Sequence, residues 1–381
     1  MATNKDSNKQ TPSAVKPTAD KTFTSAKDSN IKERARAICC KLLLVLKKIL
    51  GIDKGSNKQV PTVVPSTTDS SIISTIVTDK DLDQAVLDEY GYGALYSKDG
   101  KRLLKGPKGF SHYDIKEGTE IICNSAFCQC YNLTSISIPT SVTTIGSAAF
   151  RYCDKLSSIT IPPSVHTMKG NPFLEWRGKI EIKSPYFKYK NGVLFDVKKG
   201  ILVAFLSYGR HYIIPQGITT IGPMAFCGSQ LDSLTIPPSV TTIGYEAFSY
   251  CYGLTSIAIP SSVTTIGSAA FRGCKSLTSI IIPLGVTTIG DSAFSDCSSL
   301  TSITIPSSVT TIGSAAFSGC KSLTYITILP SVTTIGIGAF YCCDNLGNAI
   351  KLEIRKRFGH DVFKELVFQK KRLLEHETMI L

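Results

Sequence analysis

A unit of 23 residues recurs along most of this chain and restricts the fold more than any single residue does. In the copy Ser302–Tyr325 it reads S-I-T-I-P-S-S-V-T-T-I-G-S-A-A-F-S-G-C-K-S-L-T-Y. Its Ala-Phe pair returns, ending at Phe127, Phe150, Phe226, Phe248, Phe271, Phe294, Phe317 and Phe340. Neighbouring copies lie 22 or 23 residues apart, except between Phe150 and Phe226. Self-similarity at a fixed period of this length means a solenoid, because no unit buries its apolar face alone. Such folds present extended surfaces, so the period points to binding.

Within each copy, Leu300, Ile303 and Ile305 alternate with Thr and Ser, the pattern of a short strand with one buried side. Pro306 has no N–H for a neighbouring ladder and ends the strand. Val309 and Ile312 supply a second extended stretch, and Gly313 permits a corner. Ala315-Ala316-Phe317 reads as a helical turn whose Phe plugs the coil. Stacked copies set Ile on Ile and Phe on Phe, and each such burial is worth roughly 1.5–3 kcal/mol.

The interruption between Phe150 and Phe226 has its own order. Phe173 follows Pro162 at the interval that separates Phe317 from Pro306, so a degenerate copy persists there. Met168 replaces Ile, Lys169 replaces Gly and Trp176 replaces Cys. Farther on, Gly192–Phe226 aligns without gaps to Gly93–Phe127, at a constant offset of 99 residues. Both segments read as β-hairpins, turning at Asp99-Gly100 and near Lys199-Gly200. Residues 81–346 therefore divide into two hairpin-plus-repeat blocks, about 91–190 and 191–346.

The string L-T-S-I-x-I-P-x-S-V-T-T-I-G-x-x-A-F-x-x-C resembles the BspA-like, or Treponema pallidum-type, leucine-rich repeats. The x-G-V-L-F/Y hairpin is similar to a non-standard unit of that family, and the likeness covers about residues 91–346. It implies a right-handed leucine-rich-repeat solenoid, mostly β with short helical turns, carrying a parallel sheet on one face. It also implies a non-enzymatic role in adhesion or surface recognition, with a protein or a surface glycan as partner.

Charge and cysteine usage narrow the alternatives. The formal net charge is +13, of which residues 1–80 supply +7 through 14 Lys+Arg against 7 Asp+Glu. The regular copies after Phe226 hold only Arg272, Lys275 and Lys321 as basic residues, so no basic stripe marks a nucleic-acid face. No nucleic acid and no cofactor is expected. Of 13 cysteines, Cys130, Cys153, Cys251, Cys274, Cys297, Cys320 and Cys343 each follow a repeat Phe by three residues. They form one structural column, read as buried free thiols. Cys123, Cys128, Cys130 and His112 match no standard zinc spacing. No H-E-x-x-H, G-x-S-x-G or phosphate-binding loop occurs, so no catalytic residue is assigned.

The flanks differ from the array. Residues 1–30 have the composition of a disordered tail, and 51–80 that of a Ser/Thr/Pro linker. Residues 31–50 form a basic amphipathic pattern, with Ile31, Ala35, Ile38, Leu42, Val45, Leu46 and Ile49 on one arc. That pattern suits peripheral membrane contact or docking on protein, and Cys39-Cys40 could be acylated beside it. Its longest apolar run, Leu42 to Leu46, is far short of a bilayer span. Neither it nor the residues before it read as a signal peptide. Surface display is therefore expected from the resemblance alone, and a cytoplasmic or membrane-peripheral scaffold is the alternative. Residues 347–381 show helical spacing suited to capping the last coil.

Two candidate binding surfaces follow. On the Ser/Thr strand, residues between buried aliphatics face outward, giving the row Ser137, Thr160, Thr235, Ala258, Ile281, Thr304 and Thr327. Beside it runs Ser135, Ser158, Ser233, Ser256, Ser279, Ser302 and Tyr325. The second surface is the degenerate segment 166–210, with nine Lys/Arg against three acids, among them Lys188, Lys190, Lys198 and Lys199. It also holds Trp176, the chain's only tryptophan, which its place in the Cys column assigns to the core.

Overall fold

Each repeat contributes two extended stretches and one turn to a stack of coils. The computed structural model describes residues 75–88 and 91–365, all within the compact unit Thr67–Leu381. The expected tail, amphipathic helix and most of the linker lie outside the described residues, as do residues 366–381.

The β-branched Thr-Ile pair of the second stretch builds the continuous ladders. One six-stranded sheet runs through Val86–Leu87, Leu95–Tyr96, Arg102–Lys105, Ile121–Ile122, Thr144–Ile145 and Thr167–Met168. A nine-stranded sheet starts at Phe187–Lys190, Val193–Asp196 and Ile201–Phe205, then continues from Thr220–Ile221 to Thr334–Ile335. The leading strands of both sheets pair antiparallel and the repeat strands pair parallel, in register, as in Thr288 with Thr311. The first stretch of each copy pairs two by two, for example Ser302–Thr304 with Tyr325–Thr327. A single bridge, Ile281 to Thr304, joins two of these pairs.

The Ala-Phe segments differ from the expected helical turns. Non-glycine residues two before and two after the Phe adopt left-handed backbone, such as Ser125 (φ 56°) and Gln129 (φ 62°) around Phe127. Ala148 with Tyr152, Glu246 with Tyr250, and Ser292 with Asp296 repeat the pair. Alternating handedness turns every second amide toward the next coil. Ser125, Phe127 and Gln129 donate to Ser147, Ala149 and Arg151 carbonyls at 2.8–2.9 Å, while Ala126, Cys128 and Cys130 close local turns. A continuous α-helix would satisfy these amides internally and leave coils unlinked.

The Phe column is buried and stacked, with centroids 5.1–5.5 Å apart from Phe226 to Phe340. Each cysteine of the column reaches back one coil. The Cys297 Sγ donates to the Phe271 carbonyl and the Cys320 Sγ to that of Phe294, both at 3.1 Å. Trp176 takes the cysteine's place in the degenerate copy, 3% exposed, with Nε1 donating to the Leu156 carbonyl at 2.9 Å.

The second hairpin is a wall between two cores. Val193, Phe195, Leu202 and Phe205 pack with the coils that follow, whereas Leu194, Val203 and Ala204 pack with those that precede. Burial on both faces explains why V-L-F and I-L-V-A-F run apolar without alternation. The ends are closed by other means. At the C-terminal side the helix Asn348–Phe358 buries Ile354, and Asp361–Phe363 stands in for a further coil. There Gly338 and Phe340 donate to the Asp361 and Val362 carbonyls, and Phe363 continues the ring column 5.9 Å from Phe340. At the other end residues 75–80, read as linker, are built into the structure. Thr75 is buried and its carbonyl accepts from the Asn124 amide, and Thr78 forms a capping box with Asp81 before the helix Asp79–Asp83.

Two outcomes test these relations. Left-handed backbone costs an L-residue roughly 1–2 kcal/mol, and glycine avoids it. Ser292→Gly is expected to raise stability by about 0.5 kcal/mol, and Ser292→Val to lower it by about 1 kcal/mol, in denaturant melts. Two shifts of the same sign would contradict the assignment. Burial pushes the thiols of Cys153 and Cys343 up from the ordinary 9.0 to about 12, and raises Cys297 and Cys320 as well. Unfolded thiols ionise from about pH 9 while the folded ones stay neutral. Stability is therefore expected to hold below about pH 9 and fall as pH rises toward about 12. An unchanged unfolding midpoint from about pH 8 to about pH 11 would show that the thiols do not contribute this way.

Candidate functional site

The two outward rows of the Ser/Thr strands are aligned coil to coil. The register sets His112 against Ser135, Ser158 against Lys179, Ser256 against Ser279 and Ser302 against Tyr325. Asp114, Thr160, Ile213 and Thr304 are likewise set against Ser137, Glu181, Thr235 and Thr327. Ser137, Thr160, Thr235, Ala258, Ile281 and Thr304 are exposed, and Thr327 is half-buried, its hydroxyl bonded to the Tyr325 hydroxyl at 3.2 Å.

The rows change character along the array. In the first block and at the start of the second, several of their side chains are engaged within the chain. His112 meets Ser135 Oγ and His211 meets Ser233 Oγ, each at 2.6 Å, and the Thr160 hydroxyl donates to Glu181 at 2.9 Å. Farther along the second block, no hydrogen bond within the described residues engages the side chains of Thr235, Ser256, Ser279, Ser302 or Thr304. From Ser233 to Thr327 neither row holds a charged residue. Ile213 and Ile281 stand 72% and 80% exposed among these hydroxyls, and Tyr325 closes the row at 55%. Uncharged and dotted with exposed apolar side chains, these two rows can hydrogen-bond a ligand and cover its apolar parts.

One constellation on this face has the composition of a catalytic triad. Ser135 Oγ lies 2.6 Å from His112 Nδ1, and His112 Nε2 lies 3.2 Å from Asp114 Oδ1. The His and Asp side chains are 59% and 69% exposed. At that exposure water screens any charge that develops on the Ser135 hydroxyl. The second block keeps the Ser-His contact and has Ile213 in place of the acid. In both blocks the Ser-His contact links neighbouring coils.

The lysines of the degenerate segment fall on the second hairpin. Lys188 and Lys190 are exposed on its edge strand, and Lys198 and Lys199 on the turn between Val193–Asp196 and Ile201–Phe205. The edge strand Phe187–Lys190 was not anticipated, although Phe-Lys-Tyr-Lys alternates as a half-buried strand should. Sequence reasoning also missed a cluster on the turns. Arg151 contacts Tyr152 and pairs with Glu175, Arg272 lies over Tyr250, and Lys275 lies over Tyr252. These residues occupy variable positions beside the Phe, where a single copy carries no periodic signal.

Comparisons with known proteins agree with this architecture. The sequence profile described as BspA type Leucine rich repeat region matches in six copies, over residues 102–189, 209–298 and 241–369. A crystallised leucine rich cell surface protein from Faecalibacterium prausnitzii A2-165 is 28% identical, with 63% of this chain and 59% of that chain covered and a TM-score of 0.46. This chain thus spans about three-fifths of that protein's length. A leucine-rich repeat protein from Eubacterium ventriosum is 25% identical over 65% of this chain and 92% of that one, with a TM-score of 0.48. The pneumococcal vaccine antigen PcpA shares the fold at 22% identity, with 68% of each chain covered and a TM-score of 0.50. Among curated proteins none matches this chain.

Proposed function

Because this chain belongs to the BspA-type leucine-rich repeat family, we propose that it is a non-enzymatic binding protein whose Ser/Thr strand face recognises a protein or glycan in adhesion or surface recognition. The observation that carries this reading is the pair of uncharged outward rows between Ser233 and Thr327, where Thr235, Ser256, Ser279, Ser302 and Thr304 flank exposed Ile281. Buried positions of the same strands, such as Ile280 and Ile303, hold the coil together, so outward substitutions are separable from folding. Small hydroxyl side chains give broad contact of modest strength, and the exposed Ile and Tyr residues supply the apolar anchors.

A second reading, an intracellular scaffold, is favoured by the thiols. No disulfide joins any of the eleven cysteines among the described residues, a usage suited to a reducing compartment. Protease treatment of intact cells separates the two, since a surface protein is shaved and an intracellular one is spared.

The face itself is tested by Ile281→Arg combined with Thr304→Arg. Binding to intact target cells or their extracted surface polymers is expected to drop by about tenfold or more, as buried unpaired charge would demand. The melting temperature should stay within about 2 °C of the parent, because both side chains face solvent. Undiminished binding with a folded variant removes this face as the recognition surface.

A further inference from the structure

The chain contains the same hairpin scaffold twice, and the two copies differ in charge. In the first, the edge strand Val86–Leu87 carries no lysine, Asp99 sits between Lys98 and Lys101 in the turn, and Lys101 pairs with Glu120 at 2.8 Å. In the second, Lys198 and Lys199 occupy the positions of Asp99 and Gly100, and the edge strand adds Lys188 and Lys190. The first copy shows that protecting the sheet edge does not require lysine here.

Few carboxylates accompany the second copy in the sequence. Between Glu181 and Asp232 the one carboxylate is Asp196. It is 4% exposed, and its Oδ1 accepts the Lys198 and Lys199 amides at 3.1 and 2.9 Å. Lys183 and Arg210 have acidic partners in Glu181 and Asp232. No ion pair joins Lys188, Lys190, Lys198 or Lys199 among the described residues.

The charges also fall in a line. Phe187 and Tyr189 pack toward the preceding coils, so Lys188 and Lys190 share the opposite face, about 7 Å apart along the strand. The register sets Lys190 opposite Val193 and Lys188 opposite Phe195, close to the turn that holds Lys198 and Lys199. Tyr186, partly exposed, adjoins that turn and accepts the Val197 amide at 2.9 Å.

We propose that the second hairpin is a docking track for an anionic polysaccharide, a linear glycan bearing carboxylate or sulfate groups. Lysine ammoniums are hydrated point charges, suited to anionic groups spaced along a chain, whereas planar bidentate recognition calls for arginine. Single exposed ion contacts are weak, so a row of them on a rigid hairpin favours a polymer over a small ligand. Tyr186 offers a ring for the apolar face of a sugar. This surface is separate from the Ser/Thr face and does not depend on that proposal.

The experiment uses the full chain with dextran sulfate, uncharged dextran and vesicles containing anionic phospholipid, over a range of salt. The expected result is binding to dextran sulfate but not dextran, weakening steeply with ionic strength. Changing Lys188, Lys190, Lys198 and Lys199 together to Ala should lower affinity by about tenfold, flatten the salt dependence and leave the melting temperature unchanged. Changing Lys5, Lys9, Lys16 and Lys21 to Ala should cost much less, and the Ile281→Arg, Thr304→Arg variant should bind dextran sulfate as the parent does. Equal affinity in the hairpin variant, an equal loss in the N-terminal variant, or preference for the vesicles would each overturn the proposal.

Discussion

The left-handed residues that flank each repeat phenylalanine determine how one coil meets the next. A stretch such as Ser292–Asp296 has to send its Phe inward and its alternate amides along the stack at once. Regular helix or strand cannot meet both demands, because a helix keeps its amides to itself and a strand alternates its side chains. Switching handedness twice per coil does so at a cost in backbone energy, and the buried ring and the backbone hydrogen bonds between coils offset that cost. Once the ring is fixed, the cysteine three residues on lies under the carbonyl one coil back. The Thr-Ile strand that follows enters the ladder in register.

Much of this was legible from the period. The Phe and Cys columns and the inward Ile positions repeat at 22 or 23 residues, and the constant offset of 99 exposed the duplicated hairpin. The left-handed positions were not legible, because Ser125, Ala148, Met224, Glu246, Ala269, Ser292 and Ala315 share no side-chain chemistry. What they share is a backbone state imposed by stacking, and only Gly228, Gly273, Gly319 and Gly338 hinted at it. The N-terminal closure carried a signal that polar composition obscured. Thr78 and Asp81 have the spacing of a capping box within a stretch that otherwise reads as linker.

The candidate surfaces divide in the same way. Which residues of the Ser/Thr strand face outward followed from alternation, and their exposure agrees with it for every named position except half-buried Thr327. What alternation could not give is which hydroxyls the fold itself engages. That depends on the residue one coil away, as when His211 takes Ser233 and Glu181 takes Thr160. The charged and aromatic cluster around Arg151, Tyr250 and Arg272 depends on single substitutions in variable positions, and a period carries no information about those.

The two-faced hairpin bears on how the array comes apart. Coils of a solenoid contact only their neighbours, so an array can fray from an end one repeat at a time. Val193, Phe195 and Leu202 belong to one core, and Leu194, Val203 and Ala204 to the other, on the same two strands. Withdrawing either block therefore strips one face of a sheet that has no polar side to show to water. The strands at the middle of the chain thus act as a cooperativity element, passing the loss of one block on to the other where a plain stack of repeats would have let the damage stop.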